Sequence, residues 1–164
     1  VPEGRALALA LAASLVNAEA SAQEPESGLR WDEARPHHLS LPTGLTDNGE
    51  ATAFTVGIDY EYRLGRRIGV GGVIEHAVAD VSATTLLAVL DLHLWRGLAL
   101  QTGPGIEWRA PPSAARSEEF VYRAGLLYEF ELGAYTLAPQ LHLDVVPAAD
   151  EESWILLLAV GRAF

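Results

Sequence analysis

Between Phe54 and Leu64 the chain changes character at every residue. Phe54, Val56, Ile58, Tyr60, Tyr62 and Leu64 are apolar or aromatic, while Thr55, Gly57, Asp59, Glu61 and Arg63 are polar or small. Side chains of a strand point alternately to opposite faces, so this period of two predicts a strand with one apolar and one polar face. A helix would scatter the same charges around its circumference. The pattern recurs and predicts eight strands, over 37–46, 51–64, 68–78, 84–95, 98–109, 119–132, 135–146 and 153–164.

The connections between these segments are of two kinds. Leu64-Gly-Arg-Arg-Ile68, Trp95-Arg-Gly-Leu98 and Leu132-Gly-Ala-Tyr135 are tight, glycine-containing hairpin turns. Segments 47–50, 79–83, 110–118 and 147–152 are longer and rich in Asp, Glu, Pro, Ser and Ala. Short turns at one end and longer loops at the other predict an all-β fold, an eight-stranded antiparallel up-and-down barrel spanning 37–164. Pro42, Pro104 and Pro139 fall inside predicted strands, where each removes one ladder N–H. Bulges, strand ends or ladder gaps are expected there, with Gly103-Pro104-Gly105 the favoured place for a bulge.

A barrel of this size can face either way. A soluble, lipocalin-like binder turns its charged face to water; a transmembrane barrel turns its apolar face to lipid. The polar face here alternates Gly57, Gly69, Gly71, Gly103, Gly105, Gly125 and Gly161 with charge, and the chain has no Lys. That suits a narrow interior better than a solvated surface. The apolar face carries Tyr62, Phe130, Tyr135 and Phe164 toward the tight-turn end, and Phe54, Trp108, Tyr122 and Trp154 toward the loop end. Two aromatic bands flanking an aliphatic middle are what two membrane interfaces favour. Phe164 lies in phase with Leu156, Leu158 and Val160, pointing outward where a ring reaches headgroup level. A last strand of this kind is expected to pair with the first, because closure removes the sheet edge from lipid.

Composition narrows the setting. Of 164 residues 49% are hydrophobic, and the formal net charge is −11. Binding to nucleic acid needs a basic face, so that partner class is excluded. The absence of Cys rules out disulfides and thiolate metal sites. Residues 1–22 read as a cleavable signal peptide, with Arg5, an apolar run from Ala6 to Val16 and the small-x-small site Ala20-Ser21-Ala22. Residues 23–36 read as a flexible leader.

The segments His38-Leu-Ser-Leu41, Ala53 to Arg63, Gly103-Pro-Gly-Ile-Glu107 and the terminal Phe164 resemble the small eight-stranded outer-membrane β-barrel proteins of Gram-negative bacteria, in particular the porin-like "outer membrane protein β-barrel domain" group. The resemblance covers 37–164 and implies residence in the bacterial outer membrane, with membrane lipid and lipopolysaccharide as surroundings. It also implies Phe164 as the signal read by the barrel-assembly machinery. Arg162 departs from the apolar or aromatic residue usual near that end. None of these motifs implies an activity.

The inward charges are Asp59, Glu61, Arg63, Glu75, Asp91, His93, Glu107, Arg123, Glu129, His142 and Asp144. Buried carboxylates must pair, accept hydrogen bonds or take up a proton. The expectation is a lumen-filling salt-bridge network with Arg123 as its hub, since a guanidinium bridges two carboxylates. The alternative use of such a lumen is a proton or cation site. No catalytic, cofactor or metal residues are assigned. A lipid-modifying enzyme is the rival reading, resting on an outward His76 with Ser82 or Ser153, but no nucleophile motif accompanies them. The expected role is therefore structural or interaction-based in the cell envelope, with a filled lumen and no general pore.

Overall fold

The computed structural model describes residues 34–79, 82–110 and 117–164. The signal-peptide and most of the leader assignments lie outside the described residues. The described residues form nine strands: β1 (His37–Asp47), β2 (Thr52–Arg63), β3 (Ile68–Val78), β4 (Ser82–Trp95), β5 (Leu98–Ala110), β6 (Ser117–Tyr128), β7 (Phe130–Leu132), β8 (Tyr135–Val146) and β9 (Glu151–Ala163). β6 and β7 are two pieces of one barrel strand, parted at Glu129, so the barrel is eight-stranded.

All pairings are antiparallel and join sequence neighbours, with β6 pairing across to β8 and β1 pairing with β9. The last contact closes the ring. It runs in unbroken register from His38↔Ala163 to Asp47↔Trp154. Closure leaves no strand edge exposed, the condition for a sheet in hydrocarbon.

The tight turns follow from their residues. In Trp95-Arg96-Gly97-Leu98 both central residues have positive φ, 42° and 90°. That matches a primed hairpin turn whose twist suits the flanking strands. Gly133 alone is positive in its turn, at 68°.

The prolines act through ladder gaps. Pro42 stays paired with Ala159 of β9, while the β1–β2 pairing skips from Ser40↔Asp59 to Thr43↔Val56. Pro104 stays paired with Tyr122, while β4–β5 skips from Leu87↔Gly105 to Leu90↔Thr102. Pro139 stays paired with Leu158 and faces the β6–β7 break on its other side. Register is the same on both sides of each gap, so the expected bulge at 103–105 does not form. A missing N–H removes one bond without requiring an extra residue. The irregularity lies instead between His93 and Trp95.

Strands also reach further at the loop end than the alternation predicted. Ser117 and Glu118, in the predicted 110–118 connection, belong to β6, and Glu151 and Glu152, in the predicted 147–152 connection, start β9. The extension is held by polar cross-strand contacts, including a 2.9 Å bond from the Trp108 indole N–H to Glu118.

The two faces separate cleanly. The outer surface carries Leu39, Leu41, Leu45, Ile58, Ile74, Leu86, Leu158 and Val160, all exposed, with Phe54, Tyr62, Tyr122, Tyr135, Trp154 and Phe164 among the exposed aromatics. The interior holds every charged residue predicted for it. It also holds an apolar cluster that alternation alone did not reveal: Val73, Leu87, Val89, Val121 and Val146.

Candidate functional site

The inward charges form separate groups at different levels. Arg123 on β6 is fully buried, 1% exposed. Its Nη1 and Nη2 donate to the two oxygens of Glu75 on β3 at 2.8 and 2.7 Å. Its Nε and Nη2 donate to those of Asp144 on β8 at 2.7 and 2.8 Å. Asp144 is the direct cross-strand partner of Arg123. Glu75 sits three strands away around the ring, so the guanidinium bars the lumen.

A second bar is built from Arg63 on β2. Its Nη2 donates to both oxygens of Glu129 at 3.0 and 2.7 Å, and its Nε donates to Glu61 at 3.1 Å. The other oxygen of Glu61 lies 2.7 Å from His93 Nε2. Glu129 sits at the β6–β7 break, in phase with the inward Arg123 and Leu127, and faces β2 across the lumen.

Beside that bar the Gln101 amide donates to Asp59 at 3.2 Å and to Asp91 at 3.1 Å. Asp59 Oδ1 and Asp91 Oδ2 have no hydrogen-bond partner among the described residues. His142 joins none of the ion pairs; its Nε2 contacts Gln140 at 3.1 Å. Glu107 is held near the mouth by Arg109, which also reaches Glu151.

Inward glycines make room for these groups. A Cβ at Gly69 would fall 1.9 Å from Glu61 Oε1, and one at Gly125 would fall 2.2 Å from His142 Nδ1. The alternation of glycine with charge is therefore a packing device: one strand gives up its side chain so that its neighbour's large polar one fits.

Sequence reasoning missed several partners. His38, Gln101, Gln140, Thr136 and Arg109 all belong to the lumen. The adjacent pair His37-His38 carried the signal for one of them, since neighbours on a strand face opposite ways. His38 points in, its Nε2 2.8 Å from Thr136 Oγ1; His37 points out and contacts the Tyr60 hydroxyl at 2.8 Å.

Among the described residues the interior holds a wide cavity and a small one that share no lining residue. One, of about 440 Å³, opens at the loop end, with Glu75, Asp144, Glu107 and Arg109 in its wall. The other, of about 20 Å³, lies between Asp59, Asp91, Glu61, Glu129, His38 and His93. His38, Glu61 and Glu129 each direct one potential ligand atom to within 4.8 Å of the others. Among the described residues this is the grouping with the spacing to hold a metal ion.

On the outer surface His76 Nδ1 meets Thr84 Oγ1 at 3.0 Å, its direct cross-strand neighbour. The Ser82 hydroxyl donates to the Ala79 carbonyl at 3.5 Å.

No family model and no curated protein matches the sequence. Solved structures do match the fold. The N-terminal β-barrel domain of Pseudomonas aeruginosa OprF aligns with a TM-score of 0.60 at 13% identity, covering 77% of this chain and 97% of that one. The Yersinia pestis outer membrane protein Ail, determined in a phospholipid bilayer nanodisc, aligns at 0.51 and 13% identity over 77% and 99% of the two chains. A de novo designed transmembrane β-barrel aligns at 0.51 and 10% identity over 87% and 100%. At these identities the likeness is one of fold, and it agrees with the chain's own closed ring, apolar exterior and charged interior: the protein has the eight-stranded antiparallel architecture of small transmembrane β-barrels.

Proposed function

We propose that the protein is an integral barrel of the bacterial outer membrane, with its tight turns toward the periplasm and a structural or interaction role in the envelope. The observation that carries this reading is the inverted distribution of polarity. Exposed Leu, Ile and Val cover the outside, while Arg123, Glu75, Asp91 and Asp144 are buried inside. A soluble lipocalin-like binder needs the opposite arrangement.

The interior argues against a general pore. Arg123 and Arg63 each span the lumen, and an eight-stranded ring has room for little beyond its own side chains. The contacts of His76 and Ser82, to Thr84 and to a backbone carbonyl, support a non-enzymatic role, because a hydrolase of the lipid surface needs a nucleophile hydrogen-bonded to its base. Phe164 at the closing seam supports its reading as the assembly signal.

The test is the electrophoretic behaviour of membrane-extracted protein, paired with planar-bilayer conductance. A species that resists cold SDS, shifts on boiling and conducts no large steady current fits the proposal. Protein that is soluble without detergent, or that carries a porin-sized current, overturns it.

A further inference from the structure

We propose that the small cavity near the tight-turn end is a divalent-cation site with His38, Glu61 and Glu129 as ligands, taking an ion of the Mn2+ or Zn2+ class. The ligand atoms of these three buried residues lie within 4.8 Å of one another. One imidazole with two carboxylates is a donor set that metals of this class accept.

Three further observations point to a positive ion. First, the cavity wall holds four carboxylates, from Asp59, Glu61, Asp91 and Glu129, of which the Arg63 guanidinium pairs with Glu61 and Glu129. Buried carboxylates in such excess take up either a cation or protons, and the test below separates the two. Second, Asp59 and Asp91 are 8% and 3% exposed, line the same cavity, and each keeps one oxygen without a partner. Those oxygens are acceptors for water bound to an ion. Third, the cavity volume of about 20 Å³ suits one ion or water and nothing larger.

The existing contacts leave capacity for binding. An ionised carboxylate has about four acceptor positions. Glu129 uses two on Arg63, and Glu61 uses one on Arg63 and one on His93. His38 commits one ring nitrogen to Thr136, a contact that fixes the ring as outer partners of metal-bound histidines do. The ligands come from β1, β2 and the β6–β7 break. A bound ion thus ties the first strand, which forms the closing seam, to the opposite wall.

The test uses folded, chelator-treated full-length protein in detergent, titrated with Mn2+ or Zn2+ alone. The expected result is one ion per chain, a higher unfolding midpoint on loading, and 14N modulation in the electron spin echo of the Mn2+ form. His38→Gln should abolish binding, and Thr136→Val should weaken it about 10-fold. His76→Ala removes an exposed imidazole and should leave binding unchanged. Should His38→Gln not fold, the 14N signal and Thr136→Val on folded protein still decide. Overturning results are an unshifted midpoint with no stoichiometric ion, or binding that persists in His38→Gln or is lost in His76→Ala. A midpoint that responds to pH but not to metal assigns the cavity to protons and equally removes the proposal.

Discussion

The rings of His37 and Phe164 stack with centroids 5.5 Å apart and planes inclined by 17°. The same residues exchange backbone hydrogen bonds, Phe164 N–H to the His37 carbonyl at 2.8 Å and His37 N–H to the Phe164 carbonyl at 3.2 Å. The seam that closes the barrel therefore ends on a doubly bonded, stacked pair, with Tyr62 tilted against His37 at 5.2 Å. An aromatic pair contributes about 0.5–1.5 kcal/mol beyond its buried area. A double-mutant cycle of His37→Ala and Phe164→Ala, read by urea unfolding in lipid, should return a coupling in that range. Additive effects would leave the stacking without energetic weight and Phe164 as a membrane-interface ring alone.

Arg123 gives the largest expected effect of any single substitution. Arg123→Ala leaves Glu75 and Asp144 buried without their cation, and breaking a buried pair in this way costs about 3–5 kcal/mol. The triple change Arg123→Met, Glu75→Leu, Asp144→Leu should recover much of that loss, since an apolar core of like volume replaces a desolvated network with little penalty. Unfolding free energies of the two variants check this; equal destabilisation of both would mean that shape, not charge compensation, governs the site.

How far these contacts were legible depended on the local composition. Where polar and apolar residues alternate, as from Phe54 to Leu64, period two alone assigned each side chain to its face, and the strand bounds followed within a few residues. In Leu86-Leu-Ala-Val-Leu90 and Ile155-Leu-Leu-Leu-Ala159 both faces are apolar, so Leu87, Val89, Ile155 and Leu157 are assigned inward only by carrying the phase along the strand from Asp91 and from Phe164. Partner identity was less accessible still. Alternation says that Glu61 and His93 point inward, but their 2.7 Å contact depends on strand order and relative offset around the ring. Gln101 and Thr136 went unnoticed because an uncharged polar residue on the inner face carries no signal until its neighbours are known.

The glycine pattern yields a contrast within one strand. Gly69 faces inward against Glu61, where a Cβ would meet Oε1 at 1.9 Å; Gly72 faces the other way and its nearest neighbour would be a carbonyl at 3.5 Å. Gly69→Ala must push Glu61 off Arg63 and His93 and should destabilise by about 1–3 kcal/mol. Gly72→Ala adds a methyl to the outer face in extended backbone and should be neutral or slightly stabilising. Paired unfolding curves test this; similar losses at both would mean that glycine is needed for backbone shape rather than for room.

Leu41 offers a direct probe of what surrounds the barrel. It lies midway along β1, pairs with Val160, and is 59% exposed on the outer face. Against hydrocarbon, an arginine near the bilayer midplane costs about 2–4 kcal/mol, falling to about 0–1 near the interfaces. Leu41→Arg should therefore lower stability in lipid by that larger amount. Arg162, outward at the tight-turn end of β9, shows that the chain already tolerates the same side chain near an interface. Moving the substitution to Leu39, which pairs with Arg162, should give a smaller loss, because the guanidinium then reaches the headgroups. A depth-dependent pair of losses measured in vesicles would mark the outer face as lipid-facing. Equal, near-zero effects at both positions would mean that the exposed apolar surface meets water, and the orientation of the barrel in its solvent would have to be reversed.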